Sequence, residues 1–226
     1  MLHSALTIQL HRIVSLQDDL LFPWLDLYET AFPQIERIPV SSMLRGIRRV
    51  EFGEPVRSEY LAALDDTGVF VGMAQWTMNP DFGAAYLGYF AILPDQRSRG
   101  LGAHFYRLLF DRVSRCGALL LAFDVEQPER QSNPTACEIA TRRIRFYQRQ
   151  GAGLVKGLEF FYGDPPMRQY VMIHPIQPLA LKNLVSRVRG VVTAFGGRLE
   201  EIHPGASTEL AFYPVDGSPK IDHNST

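Results

Sequence analysis

The sequence has few cysteines, almost no net charge and no long apolar run. Two cysteines among 226 residues exclude a disulfide framework and a four-cysteine zinc site. With 23 Lys and Arg against 24 Asp and Glu, the chain lacks the basic excess typical of nucleic-acid-binding proteins. No run approaches the roughly 18–20 apolar residues that span a bilayer, and the first residues do not resemble a secretion signal. We therefore expect a cytoplasmic protein with no nucleic-acid or membrane partner.

What is present is the composition of an ordinary globular protein. Hydrophobic residues make up 46% of the chain and charged residues 21%, which suits one large domain with an extension. We predict a main domain at residues 1–177, an extension with a helix and a strand at 178–213, and a disordered polar tail at 214–226. The six histidines never pair at the spacing of a helix-borne metal site, so we expect no metal.

Hydrophobic periodicity predicts strands and helices along most of the chain. Strands are predicted at residues 6–14, 60–64, 69–78, 84–93, 118–125, 154–162, 169–174 and 209–213. Helices are predicted at residues 18–32, 41–50, 100–116, 135–150 and 179–195. Ser41 or Ser42 is the expected N-cap of the second helix. This order predicts an α/β or α+β fold, in which helices pack on a central sheet.

A glycine-rich turn joins the fourth predicted strand to the helix that follows. Pro94 stops the strand, and Arg97 and Arg99 add positive charge in a polar turn. Gly100 and Gly102 then open the helix, where the backbone can approach a ligand and the first N–H groups are free. A helix start of this kind favours anion binding, although a plain surface turn is the alternative.

The turn resembles the acetyl-CoA signature of the GNAT superfamily of N-acetyltransferases. Arg97, Gly100 and Gly102 match its pattern Gln/Arg-x-x-Gly-x-Gly/Ala, while Ser98 stands where many relatives have glycine. The resemblance covers roughly residues 6–175 and includes features of a bacterial-type branch. It implies a mixed, mostly antiparallel sheet flanked by helices, with a C-terminal helical extension outside it.

The same resemblance implies that acetyl-CoA is the co-substrate. The turn would cradle the pyrophosphate of coenzyme A, and the strand before it would pair with the pantetheine arm. Thr141 stands near the position of an asparagine that touches the pantetheine in relatives. The implied cofactor-binding residues are Phe90, Ala91, Ile92, Gln96, Arg97, Ser98, Arg99, Gly100, Leu101, Gly102 and Thr141.

A second motif follows in the helix at residues 135–150. The pair Phe146-Tyr147 before Gly151 resembles the later GNAT motif, in which the tyrosine serves as general acid toward the coenzyme A thiolate. A tyrosine hydroxyl can protonate a departing thiolate. The spacing of Ala140, Ile144 and Tyr147 also suits a residue that only packs in the core. The basic run in this helix either forms a solvated face or reaches a phosphate of coenzyme A or an acidic acceptor.

We predict Glu126 as the base that takes the proton of the attacking amine, with Glu36 and Glu51 as acceptor-binding residues and as alternatives for the base. Glu126 follows the predicted strand at residues 118–125, at its C-terminal end, where such sheets present functional groups. Glu36 and Glu51 lie on the front helices, which usually wall the acceptor pocket in the resembled family. Each of the three also suits a solvated surface position.

The sequence thus predicts an acyltransferase that moves the acetyl group of acetyl-CoA to the primary amine of a small molecule or peptide. The amine would attack the thioester directly, with Tyr147 as the general acid. Two other hypotheses are a non-catalytic module that binds acyl-CoA and an unrelated phosphate-binding protein. The apolar stripe of the helix at residues 179–195 predicts packing within the chain or against a second subunit, so a monomer and a homodimer both remain open.

Overall fold

A computed structural model describes residues 7–52, 58–162, 166–177, 183–194, 198–201 and 210–211. The helices are α1 (Leu21–Ala31), α2 (Val40–Glu51), α3 (Leu101–Arg115), α4 (Pro134–Arg149) and α5 (Leu184–Ala194). The strands are β1 (Gln9–Ile13), β2 (Ser58–Leu64), β3 (Phe70–Asn79), β4 (Ala84–Ile92), β5 (Leu120–Glu126), β6 (Gly153–Tyr162), β7 (Met167–Pro175), β8 (Arg198–Glu201) and β9 (Leu210–Ala211).

In the described part of the chain the strands form one nine-stranded sheet. Its order is β1-β2-β3-β4-β5-β7-β6-β8, and β9 also pairs with β6. All neighbouring strands run antiparallel except β4 and β5, which are parallel. A parallel pair needs a long crossover connection, and α3 provides it here. The mixed, mostly antiparallel sheet flanked by helices is the fold class that the sequence predicts.

Within the described residues, the predicted helices and strands occur with their ends shifted by a few residues. One boundary prediction is wrong, because α2 begins at Val40 and Pro39 occupies its N-cap position. The Ser42 amide donates to the Pro39 carbonyl at 2.8 Å, so the helix has already started where a serine cap was expected. The predicted disordered tail at residues 214–226 lies outside the described residues.

Helices cover the sheet on both faces. Successive side chains of a strand point to opposite faces, and apolar side chains lie on both faces here. Phe105 and Leu109 of α3 and Ile144 of α4 belong to the core cluster on one face. Trp24 of α1 and Ile47 of α2 belong to a cluster that covers the first strands from the opposite side. A cavity opens between these layers.

Helix α5 packs on the sheet within the chain. Its buried residues Leu184, Val188, Val191 and Val192 share a hydrophobic cluster with residues of β4, β5, β6 and β7. Polar contacts fix its position, since the Asn79 side-chain amide donates to the Gly190 carbonyl at 3.0 Å. Within Leu184–Ala194, the apolar stripe predicted from the sequence is therefore covered by this chain's own sheet.

Replacing Val188 with aspartate should destabilise the protein strongly. The Val188 side chain is 0% exposed, and a buried charge without a partner costs about 3–5 kcal/mol. Urea unfolding of Val188→Asp should show that loss, whereas Ser186→Asp, which places the same charge on the exposed side of the helix, should change stability by less than about 0.5 kcal/mol. Equal stability of the two variants would contradict the packing of α5.

Candidate active site

The candidate active site lies where β4 and β5 separate. In the described part of the chain these strands pair only between Ala84–Tyr86 and Leu120–Ala122. Beyond that point the edge of β4 from Leu87 to Ile92 faces an opening instead of a neighbouring strand, and the opening contains a cavity of about 630 Å³. An exposed strand edge of this kind can pair with an extended ligand through its backbone groups.

A β-bulge at Gly88 decides which side chains of β4 reach each face of the sheet. The pairing with β3 shifts by one residue there, and Gly88 has no opposite partner. Because side chains alternate with a period of two, the extra residue places Tyr89 on the same face as Tyr86. Phe90 turns to the other face, where its ring lies 5.0 Å from that of Phe105 in α3.

The turn before α3 forms one end of the cavity. Arg97, Ser98 and Gly102 line it, and Gly100 occupies the N-cap position of α3 with φ of 81°. Ser98 also has a positive φ, 64°, in the left-handed region that favours glycine. The first-turn amides of a helix have no intrahelical partner, so this end of the cavity suits an anionic group.

Gly102 leaves room for a ligand at this end. A Cβ atom added at Gly102 would lie 3.6 Å from Ile92 and 3.8 Å from Phe146, which are ordinary contacts. No packing within the chain therefore requires a glycine at this position, whereas a larger side chain would fill the cavity. This end of the cavity therefore has space for an anionic ligand group.

Not every predicted cofactor-binding residue reaches the cavity. Phe90, Ala91 and Ile92 line it together with the turn residues named above, whereas Gln96, Arg99, Gly100, Leu101 and Thr141 do not. The Arg99 side chain instead donates to Gln96, and Leu101 is buried in the core. The Ile92 carbonyl already accepts a hydrogen bond from Arg97 at 3.1 Å, so Arg97 ties the turn to the end of β4.

One face of α4 forms a wall of the cavity. The six α4 residues that line it are Ile139, Arg142, Arg143, Phe146, Tyr147 and Arg149. The basic run of this helix consists of Arg142, Arg143, Arg145 and Arg149, and all but Arg145 therefore face the cavity. This arrangement favours contacts with a phosphorylated ligand over a purely solvated face.

Tyr147 is both a packed residue and a cavity residue. Its side chain is 7% exposed, and its ring lies 4.2 Å from Phe123 and 5.4 Å from Tyr106, measured between centroids. Burial raises the pKa of Tyr147 well above its usual value, so the hydroxyl is protonated at neutral pH. The two interpretations offered by the sequence, core residue and proton donor, are both compatible with this position.

Glu36 lines the cavity from the opposite side. It ends the short 3₁₀ turn Gln34–Glu36 that follows α1. Burial raises the pKa of Glu36 to about 7, and the nearby carboxylates Glu126 and Asp124 add to the shift, which Arg143 and a hydrogen bond with Tyr162 oppose. A carboxylate with this pKa can exchange protons near neutral pH.

The other two predicted carboxylates have different surroundings. Glu126 forms an ion pair with Arg143 and is not among the residues that line the cavity. Glu51 lies at the C-terminal end of α2, where it is exposed and accepts a hydrogen bond from Ser15 at 2.9 Å. The fold thus does not bring Glu51 to the cavity, since no residue of α2 is among those that line it.

Asp124 is a cavity residue that the sequence reasoning missed. It lies on β5 next to the point where β4 and β5 separate, and it accepts a hydrogen bond from Tyr86. Burial raises the pKa of Asp124 to about 6. The available signal was a carboxylate inside the predicted strand at residues 118–125, whose other residues are all apolar, since a charge is rarely buried without a partner.

The described residues contain no group of three or more His, Cys, Asp or Glu residues able to hold a metal ion. Among their helices, none is long and apolar enough to cross a membrane.

More than half of the chain is similar to one known protein family. Residues 21–152 match the sequence profile of the acetyltransferase (GNAT) family. No curated protein matches the chain.

Solved structures share the fold at low sequence identity. A protein described as a GNAT-family acetyltransferase from Bacteroides thetaiotaomicron is 18% identical with a TM-score of 0.60, covering 83% of this chain and 98% of that one. A protein from Salmonella typhimurium, described as an acetyltransferase with its cofactor acetyl-CoA, is 16% identical with a TM-score of 0.53, covering 77% and 95%. An N-acetyltransferase from Thermoplasma acidophilum in complex with coenzyme A is 15% identical with a TM-score of 0.50, covering 75% and 99%.

Proposed function

Because the chain belongs to the GNAT acetyltransferase family, we propose that it transfers the acetyl group of acetyl-CoA to a primary amine, with Glu36 as general base and Tyr147 as general acid. The observation that carries this assignment is the cavity at the separation of β4 and β5, which Glu36 and Tyr147 both line. The acceptor belongs to a small molecule or a peptide. A cytoplasmic location is part of the proposal, because Cys116 and Cys137 are both free, as expected in a reducing compartment.

Acetyl-CoA supplies an acetyl group activated as a thioester. The residues that would hold its phosphates are the first turn of α3 and the arginines of the cavity, namely Arg97, Arg142 and Arg149. The open edge of β4 from Phe90 to Ile92 would pair with the pantetheine arm through backbone groups. In this arrangement a backbone N–H near Ile92 polarises the thioester carbonyl.

Glu36 suits the role of base better than Glu126 does. An amine is protonated at neutral pH and has to lose a proton before its nitrogen can form a bond. The pKa of Glu36, raised to about 7 by burial and by the neighbouring carboxylates, makes it a proton acceptor of useful strength at that pH. Glu126 forms an ion pair with Arg143 and is not among the residues that line the cavity.

Tyr147 suits the role of acid. Its hydroxyl keeps its proton at neutral pH, as an ordinary phenol does, and burial raises its pKa further. A thiolate released in the same buried surroundings is also destabilised by the loss of water and becomes a stronger base. Tyr147 donates its proton to the sulfur as the bond between carbon and sulfur breaks, and the new bond joins the acetyl carbon to the amine nitrogen.

Binding of acetyl-CoA should stabilise the protein against unfolding, and Gly102→Val should remove most of that effect. A ligand that binds only the folded state at 100 times its dissociation constant adds about 2.7 kcal/mol. The valine side chain would occupy cavity space between Ile92 and Phe146 while leaving the unliganded fold in place. Thermal melts of both proteins with and without acetyl-CoA measure the difference.

An unchanged wild-type melt at millimolar acetyl-CoA would contradict the proposed function. Release of free thiol in the presence of a panel of amines then tests catalysis directly, and it separates an enzyme from a non-catalytic module that only binds acyl-CoA. Binding of acetyl-CoA without any turnover would favour the latter.

A further inference from the structure

The segment that carries Glu36 is held by a tyrosine from the sheet. The Tyr89 hydroxyl donates to the Glu36 carbonyl at 2.9 Å and accepts from the Ile38 N–H, also at 2.9 Å. A hydroxyl has one proton to donate and two lone pairs that accept, so Tyr89 bridges two backbone groups on either side of Arg37. The first group belongs to the last residue of the 3₁₀ turn, and the second to the stretch that follows the turn.

The position of Tyr89 makes this bridge possible. The bulge at Gly88 turns Tyr89 toward the face of the sheet on which α1 lies. Its ring packs edge-on against Tyr28 and Phe32, with centroid distances of 4.7 and 4.9 Å. The hydroxyl is therefore fixed at the end of a ring that cannot move freely, and it reaches the backbone next to Glu36.

From this geometry we propose that Tyr89 is a positioning residue for the reaction, which holds the backbone of the 3₁₀ turn so that the Glu36 carboxylate faces the cavity. The proposal rests on the proposed role of Glu36 as base. Tyr89 acts through the segment and does not itself exchange a proton with the acceptor. A second hydroxyl supports the same segment, since Tyr28 donates to the Ile38 carbonyl at 2.8 Å.

The surroundings of Glu36 depend on this placement. Asp124 and Glu126 of β5 face it with negative charge, Arg143 of α4 faces it with positive charge, and Tyr162 of β6 shares a hydrogen bond with it. A shift of the turn away from these groups and into water would remove the desolvation that raises the pKa of Glu36. Its proton affinity is therefore a sensitive measure of its position.

The variant Tyr89→Phe tests the proposal, because phenylalanine keeps the ring contacts and removes only the hydroxyl. A ¹³C NMR titration of glutamate-labelled protein, with Glu36→Gln to assign the resonance, should give a pKa for Glu36 of about 7 in the wild type. In Tyr89→Phe that pKa should fall towards the ordinary value of about 4.3. The matched control is Tyr60→Phe, because Tyr60 belongs to the same hydrophobic cluster but its hydroxyl lies against Gly46.

Activity gives a second readout that a purely structural role would not move. In Tyr89→Phe we expect kcat/KM at neutral pH to fall about 10- to 100-fold, as for a displaced catalytic group, with the dissociation constant of acetyl-CoA unchanged. The acidic limb of the pH profile should move with the pKa of Glu36. A wild-type pKa of Glu36 in Tyr89→Phe, or the same loss in Tyr60→Phe, would overturn the proposal. If the wild type transferred no acetyl group to any amine, the proposed function would fail, and the NMR titration would still decide whether Tyr89 positions Glu36.

Discussion

Replacing Glu36 with glutamine is expected to lower kcat/KM by about 10²–10⁴-fold, the usual contribution of a general base. Glutamine keeps the shape of the side chain but cannot take a proton from the amine. In the wild type the rate should rise as pH increases through about 7, because Glu36 has to lose its proton to act and its pKa is raised to about 7 by burial and by the neighbouring carboxylates. That limb should be absent from the pH profile of Glu36→Gln.

Glu51→Gln is the matched control for this experiment. Glu51 is exposed and accepts a hydrogen bond from Ser15 outside the cavity. Replacing its carboxylate with an amide should therefore leave the rate and its pH dependence unaltered. Glu126→Gln extends the comparison, since the loss of its ion pair with Arg143 should alter the pH profile without abolishing turnover. A near-wild-type rate in Glu36→Gln with a large loss in Glu126→Gln would assign the base to Glu126 instead.

Tyr147→Phe should lower kcat by about 10²–10⁴-fold while leaving the affinity for acetyl-CoA nearly unchanged. Phenylalanine retains the ring contact with Phe123 but has no proton for the departing sulfur. The protein should remain folded, so the loss would be chemical and not structural. Steady-state kinetics together with calorimetric titration of acetyl-CoA measure the two quantities separately.

Tyr106→Phe serves as the control for Tyr147→Phe. Tyr106 is fully buried beside Tyr147, and its hydroxyl contacts the His174 ring at 3.2 Å, away from the cavity lining. Its variant should retain the wild-type rate at a temperature where it is folded. If Tyr147→Phe also retained that rate, Tyr147 would be a core residue only.

Much of the fold could be predicted from the sequence because its signals are local. Alternation with a period of two identifies strands such as β3 and β4, and three- and four-residue spacing identifies helices such as α3. The turn before α3 could also be identified from a local signal, namely its glycines. Gly100 adopts a left-handed conformation there, which glycine accepts without strain. The stripe of α5 predicted burial, but it left open whether the cover was this chain or a second copy.

The sequence by itself therefore determined the order of strands and helices, the glycine-rich turn and the position of Tyr147 on a helix face, because each depends on residues a few positions apart. Only the tertiary structure decided that Glu36 lies near the carboxylates of β5. It also decided that Asp124 lines the cavity and that Glu51 does not line it. The same holds for the contact in which the Tyr89 hydroxyl, oriented by the bulge at Gly88, donates to the Glu36 carbonyl. The pKa of a carboxylate depends on burial and on charges that distant segments bring near it, and no local pattern encodes those distances.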